Sequence, residues 1–343
     1  MHKALSLLFL ICCHTASGDT NTPWFTGPLL AEPAATIEPG KVNIELFNFN
    51  FDSNAVYDNQ TQVTPVSPSI SHQIISQITI GLASGLDLEL QPTLISNYFQ
   101  NKRMTSLGDT SVILGIQALK QHTNTSTPDL RVALSEVLPS GHYENLSQEN
   151  YALNATGIGS YQTGLDFNFQ KLIPLKQDYY LNAHWSFGYL YASAVHIKGY
   201  SSYGGTALTN GDVKPGSAYT LDLAGELSVS QHWAIVLEGF YQHQDADRFF
   251  GDYGNLDLNS PRKTRTEIKK ALSRLMPTKR NISSLFLELP KIGDSTMNMI
   301  SLAPALEYNF SSKLGIIMGY WFSFYGKNTI DFRSFSIGLN MFL

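Results

Sequence analysis

Residues 85–94 read Gly-Leu-Asp-Leu-Glu-Leu-Gln-Pro-Thr-Leu. Leu86, Leu88, Leu90 and Leu94 alternate with Asp87, Glu89, Gln91 and Thr93. Successive side chains of an extended strand point to opposite faces, so this stretch has one wholly apolar face and one that carries carboxylates. The same two-faced pattern recurs along the chain. In 160–171, Tyr161, Leu165, Phe167 and Phe169 alternate with Gln162, Asp166, Asn168 and Gln170. In 178–191, Leu181, Ala183, Trp185, Phe187 and Tyr189 alternate with Asn182, His184 and Ser186. In 217–229, Tyr219, Leu221, Leu223 and Leu227 alternate with Thr220, Asp222, Glu226 and Ser228.

Collecting these segments gives strands near 41–51, 71–82, 85–94, 110–120, 128–138, 160–171, 178–191, 217–229, 233–244, 298–308, 313–325 and 331–343, an even dozen. Strand 41–51 carries a conflict: Phe47, Phe49 and Phe51 sit on the opposite parity from Ile44 and Leu46. The gaps alternate in length. Those after even-numbered strands are short (83–84, 122–127, 172–177, 230–232, 309–312). Those after odd-numbered strands are mostly long (52–70, 95–109, 139–159, 192–216, 245–297), with only 326–330 brief. Outer-membrane barrels have short periplasmic turns and longer outer loops, so this phase predicts both barrel ends on the periplasmic side. A soluble β-sandwich has no reason to show it. The expected fold is therefore all-β, a transmembrane antiparallel up-and-down β-barrel of about 12 strands.

The bulk composition agrees. The chain has 343 residues, 15% charged, 12% aromatic, and a net charge of −5. Its mean hydropathy of −0.10 is what a wall greasy on one face and wet on the other averages to. The mild acidity offers no attraction to nucleic acid. Residues 1–18 have the form of a secretory signal, with Lys3 ahead of an apolar run, Ala4 to Cys13, and small residues Ala16-Ser17-Gly18 at a cleavage point. Ten apolar residues are too few to span ~30 Å of hydrocarbon. Cys12 and Cys13 fall inside that signal, and neither follows a small residue, against lipoprotein processing. The mature chain is then free of cysteine. The expected location is the outer membrane of a Gram-negative cell.

Residues 19–40, rich in Pro, Thr and Ala, read as a periplasmic lead-in or a plug, and 41–343 as the barrel. Segment 261–291 is a basic insert in the longest outer loop. Thr264-x-x-Glu267 resembles a capping box, Ile268, Leu272 and Leu275 share a helical face, and Pro277 ends it, so one short helix is expected there. Its cations Arg262, Lys263, Arg265, Lys269, Lys270 and Arg274 suit lipopolysaccharide phosphates, or are an ordinary solvated charge run. The last strand carries Ser336-x-Gly338-x-x-Met341-x-Leu343, the polar-x-Gly-x-x-apolar-x-apolar pattern that barrels present to the barrel-assembly machinery.

With the apolar parity facing lipid, Asp87, Glu89, Asp166, Asp222, Glu226, Glu238 and Glu307 point into the lumen, with Arg131 the main inward cation. Such groups are either a solvated polar lining or a filter favouring cations and neutral polar solutes. His184-x-Ser186, with Asn182 on the same face, merits attention because some 12-stranded barrels are phospholipases that use Ser, His and Asn. Those enzymes place the site on the lipid-facing surface, whereas this pair shares the lumen parity. His72, His122, His142, His196, His232 and His243 show no metal-ligand spacing, and no phosphate-binding loop follows a strand; no metal, cofactor or catalysis is expected.

Several junctions resemble a known family. Gly108-Asp109-Thr110-Ser111 opens the fourth strand, Pro139-Ser140-Gly141 closes the fifth, and Thr156-Gly157-Ile158-Gly159-Ser160-Tyr161 leads into the sixth. Ala218-Tyr219-Thr220-Leu221-Asp222, running on to a short turn before Trp233, completes the set. Across roughly residues 40–343 this order is similar to the outer-membrane "transporter" barrels named for the meta pathway of phenol degradation. The resemblance implies a porin-like barrel admitting small, often aromatic or hydrophobic compounds, without catalytic residues. The basic insert departs from that pattern. The leading expectation is an outer-membrane channel or transporter for small molecules. The alternatives are a structural or adhesive surface barrel binding lipopolysaccharide or a host surface, and a lipid hydrolase using Ser186 and His184.

Overall fold

The computed structural model describes residues 22–122, 126–175, 179–254 and 292–343. Seventeen strands follow in chain order: β1 (Val42–Tyr57), β2 (Val63–Ala83), β3 (Leu86–Gln91), β4 (Thr93–Phe99), β5 (Lys102–Leu107), β6 (Thr110–Leu119), β7 (Asp129–Leu138), β8 (Gln162–Pro174), β9 (Tyr180–Ala192), β10 (Val195–Lys198), β11 (Asn210–Lys214), β12 (Ala218–Ser228), β13 (Trp233–Gln244), β14 (Arg248–Asp252), β15 (Met297–Ser311), β16 (Leu314–Lys327) and β17 (Thr329–Phe342). β10, β11 and β14 form a separate small sheet among the outer loops. The other fourteen make twelve staves, because β3 with β4 is one stave broken at Pro92, and β5 with β6 is one stave broken at 108–109. Every neighbouring pair is antiparallel, and β1 pairs with both β2 and β17, which closes the sheet. The fold is thus a closed 12-strand antiparallel β-barrel. Closure pairs the ladder N–H and C=O groups around the ring, the condition for a sheet to sit in hydrocarbon.

The outward face is apolar. Leu46, Ile80, Leu90, Leu134, Leu223, Leu237, Leu306 and Phe335 are all exposed, while their strand neighbours on the other parity are buried or half-buried. The conflict in β1 resolves here: Leu46 is 43% exposed on the outer face, and Phe47 and Phe49, at 8% and 5%, face the lumen.

Two of the expected long gaps are not loops. β1 continues to Tyr57 and β2 begins at Val63, so 52–70 is mostly strand. The reason lies with Pro65 and Pro68, which read as loop residues. Beyond Ile70, β2 pairs only with β1, so it is an edge there, and the register shifts by a bulge between Ser53 and Ala55. An edge and a bulge are both places where a sheet tolerates proline. Likewise 95–109 is the β4–β5 hairpin, closed by Gln100 and Asn101, both at positive φ (46° and 65°), the signature of a two-residue primed turn. Of the remaining outer connections, that between β16 and β17 is the single residue Asn328 and the others are long; 139–161 contains one 3-10 turn, Gln148–Asn150. The signal 1–18, the basic insert 261–291 with its expected helix, and the candidates Arg262, Lys263, Arg265, Lys269, Lys270 and Arg274 lie outside the described residues.

In the C-terminal strand, Ser336 is buried on the inner face and Leu343 is 55% exposed. Gly338 has a packing reason of its own. A Cβ placed there would lie 2.6 Å from the Phe47 ring, so only glycine admits that ring to the inner wall.

Candidate functional site

The inner face of the barrel divides into two walls. On β3, β7, β12, β13 and β15 it is charged. Asp87, Glu89, Arg131, Asp222, Glu226, Glu238 and Glu307 are each at most 3% exposed, and Asp166 is half-buried. Arg131 binds Asp87 through Nε (3.2 Å) and Nη2 (2.9 Å), and its Nη2 lies 3.5 Å from Glu89 Oε2. Gln91 Nε2 donates to Glu89 Oε1 at 2.6 Å. The position opposite is Gly115, where a Cβ would meet Arg131 Nε at 2.1 Å, so a glycine on β6 makes room for the guanidinium. Further round, Glu226 Oε1 accepts from Asn182 Nδ2 (3.0 Å) and lies 2.5 Å from His184 Nε2.

On β1, β16 and β17 the inner face is aromatic. Phe47, Phe49 and Phe51 stack along β1 with ring centroids 6.0 Å apart at each step. Trp321 meets Phe49 at 5.8 Å and Phe51 at 5.4 Å edge-on, and Phe332 packs on Phe51 (5.5 Å) and Trp321 (5.0 Å). The indole Nε1 of Trp321 donates to Ser301 Oγ at 2.8 Å, so its one polar atom is satisfied against the wall and its ring is left to the lumen. Edge-to-face and offset pairs of this kind each add about 0.5–1.5 kcal/mol beyond the area they bury.

Residues 22–40 run through the lumen between these walls, and both hold them. The charged wall takes the backbone. Glu307 Oε2 accepts the Thr26 N–H (3.0 Å), Glu238 accepts the Leu30 and Ala31 N–H groups (Oε1 to Ala31 at 2.6 Å), Asp87 Oδ2 accepts the Ile37 N–H (3.2 Å), and Gln117 Oε1 accepts the Thr36 N–H (2.7 Å). In return Asn309 and Asn340 donate to the Trp24 and Thr26 carbonyls at 2.9 and 3.0 Å. A proline-rich segment with no strand or helix of its own needs such partners, since a buried unpaired amide is costly. The aromatic wall takes a side chain. Leu29, 4% exposed, joins Phe47, Phe49, Val236, Ala303 and Ile317 in the main buried apolar cluster. Glycines set the fit: a Cβ at Gly319 would stand 2.3 Å from Leu29 Cδ1, and one at Gly315 2.0 Å from Thr26 Oγ1. Between segment and wall remains a cavity of about 250 Å³, lined in part by Glu32, Glu45, Glu89, His184 and Phe342.

The geometry gives the hydrolase alternative no support, and the pair lies on the lumen parity expected of it. His184 is 5% exposed, faces the lumen and is tied to Glu226, while Ser186 pairs across the sheet with Asn168 and Asp222 on that same inner face, away from lipid. Among the described residues, no group of His, Cys, Asp and Glu is arranged to hold a metal ion.

The aromatic wall carries no sequence motif, because its rings come from β1, β16 and β17 and meet only in the folded barrel. Its signal was the parity conflict in β1, where phenylalanines occupy the positions that face inward.

No protein-family model matches the chain, and no curated protein matches it. Solved structures do. The COG4313 outer membrane channel from Pseudomonas putida F1 aligns with a TM-score of 0.63 at 12% identity, over 91% of this chain and 100% of that one. The fold is the one seen in that barrel. The NanC porin aligns with a TM-score of 0.38 at 9% identity over 86% and 98% of the two chains. A TodX monoaromatic hydrocarbon channel mutant aligns with a TM-score of 0.39 at 12% identity over 95% of each.

Proposed function

We propose that the protein is an outer-membrane channel for small apolar or aromatic molecules, with residues 22–40 as its plug. The observation that carries the reading is the two-walled lumen. A conduit for small ions has no use for a ladder of five aromatic rings, whereas a solute with a π-face gains offset and edge contacts from it. The opposite wall holds the plug by its backbone. An outer-membrane location is supported by the apolar outer belt and by the short and long ends of the barrel. The resemblance to the phenol-degradation transporter barrels points to the same solute class. Outer-membrane lipid covers the belt, lipopolysaccharide phosphates meet the cations of the insert, and Ser336, Gly338, Met341 and Leu343 serve the assembly machinery.

Refolded full chain and a variant lacking residues 22–40 in planar bilayers test this directly. The expected result is small or brief conductance for the full chain and a large, steady one for the variant. Toluene or phenol influx into liposomes should follow the same order. Equal, negligible conductance and influx for both proteins removes the channel reading.

A further inference from the structure

The cavity between the plug and the wall is bordered by acceptors on two opposite sides. On one side the inner faces of β1, β2 and β3 set two rows in register. Asn43 stands opposite Thr79 and Thr79 opposite Glu89, while Glu45 stands opposite Gln77. Directly opposed residues share a face, with Cβ atoms about 4.5–5.5 Å apart. Glu32 of the plug comes down on these rows. Gln77 Nε2 and Gln91 Nε2 donate to its Oε1 at 3.4 and 3.3 Å, and the same Gln91 nitrogen donates to Glu89 Oε1 at 2.6 Å. One amide thus holds Glu32 and Glu89 side by side. Glu45 Oε1 accepts from Asn340 Nδ2 at 2.5 Å. Arg131 is taken up by Asp87 and Glu89, and the described residues that line the cavity include no lysine or arginine.

On the other side is His184. Counted from β1, β9 is the seventh of the twelve staves, so it lies across the ring from Glu45. His184 is 5% exposed and lines the cavity, whereas Glu226, which holds its Nε2, does not. With Nε2–H donated to the Glu226 carboxylate, Nδ1 is a bare acceptor, and it has no partner among the described residues. Asn43 Oδ1, on the carboxylate side, likewise has none. Buried acceptors without donors are costly. Phe47 and Phe342 also line the cavity, and Phe47 is the periplasmic end of the ladder that continues through Phe49 and Phe51. No group of described His, Cys, Asp and Glu is arranged to hold a metal ion, so these acceptors surround a space of molecular rather than ionic size. Its volume of about 250 Å³ exceeds the ~150 Å³ that admits benzene to an apolar cavity.

We propose that this cavity is a binding site for a small aromatic amine that carries a ring hydroxyl, a molecule of the size of tyramine. Its ammonium group donates to Glu32 and Glu45, with Glu89 adding negative charge behind them. The excess of carboxyl groups over the one guanidinium is the reason for a cation here, because buried negative charge is costly unless something positive meets it. The ring lies against Phe47 and Phe342, and the hydroxyl at the far end donates to His184 Nδ1. A neutral phenol would satisfy only the imidazole, and an unsubstituted arylalkylamine only the carboxylates. A site built to hydrogen-bond a group rejects the analogue that lacks it, since its own buried polar atoms are then left unmet. For the route by which the amine arrives, the site rests on the channel reading above: the aromatic ladder leads down from the outer mouth and ends at Phe47.

The test is calorimetric titration of the full-length protein in detergent, near neutral pH, with tyramine, phenethylamine and para-ethylphenol. Expected is saturable tyramine binding at one site. Loss of the ammonium, in para-ethylphenol, should weaken binding by roughly 10–100-fold, the worth of hydrogen bonds to charged groups. Loss of the hydroxyl, in phenethylamine, should weaken it by roughly threefold to tenfold, the worth of a neutral one. The double variant Glu32→Gln, Glu45→Gln should bind tyramine no better than para-ethylphenol, and His184→Leu should bind tyramine no better than phenethylamine. Each variant is first checked for the heat-modifiable gel mobility of a folded barrel. Toluene influx into liposomes, measured on the same preparations, separates the two readings. Influx without tyramine binding overturns the amine site alone, and tyramine binding without influx upholds the site while removing the channel. The site is also overturned if the parent binds para-ethylphenol as tightly as tyramine, or if the folded double variant binds tyramine as the parent does.

Discussion

The two walls of the lumen obey one rule and reach opposite chemistries. Each is built from alternate residues of strands whose other face is lipid-exposed, so spacing treats them alike. On β12 and β13 the inward positions are Asp222, Glu226 and Glu238; on β1 they are Phe47, Phe49 and Phe51. The charged wall grips residues 22–40 by main-chain N–H groups, which any residue but proline supplies. The aromatic wall grips them by one side chain, Leu29, which few sequences would. The comparison separates what holds a lumenal segment in place from what makes room for it. Polar acceptors give the hold, and glycines opposite bulky groups give the room.

Substitutions that act on one wall alone sharpen the contrast. The largest effect belongs to the charged wall. Glu238→Ala strands the Leu30 and Ala31 N–H groups, and each unsatisfied buried donor costs about 1–3 kcal/mol. The expected outcome is a plug that leaves the lumen part of the time, read as a rise in open-channel probability and as faster protease cleavage within 22–40. The barrel's melting should be little changed. A Glu238→Ala protein with the parent's cleavage rate would show that the backbone grip is idle. Next comes Gly338→Ala, which sets a Cβ 2.6 Å from the Phe47 ring. Overpacking of this kind costs about 1–3 kcal/mol, so barrel unfolding in denaturant should shift while plug cleavage stays as it was. The smallest is Phe49→Leu, near in volume but without a ring. Its cost is the loss of aromatic pairing, about 0.5–1.5 kcal/mol. The half-saturating concentration for a phenolic solute in a conductance-block assay should rise by up to roughly tenfold, since 1.4 kcal/mol is a factor of ten. An equal effect on a sugar would break the distinction between the walls.

Alternation in 160–171, 178–191 and 217–229 was enough to place strands and faces, because a strand wet on one side and greasy on the other leaves a period of two in any window. The twelve staves were legible for the same reason. The upper half of β2 was not, because Pro65 and Pro68 read as loop and only the absence of a second partner there makes them tolerable in a strand.

The amino-acid order by itself determined which residues lie on which side of the wall, because that depends only on local geometry repeated every two residues. The tertiary structure alone decided which of them meet. Register between strands distant in sequence brought Arg131 to Asp87 and Glu226 to His184, and the packing of the lumenal segment brought Leu29 to Phe47. Register is a property of paired backbones under closure, and no single strand carries it.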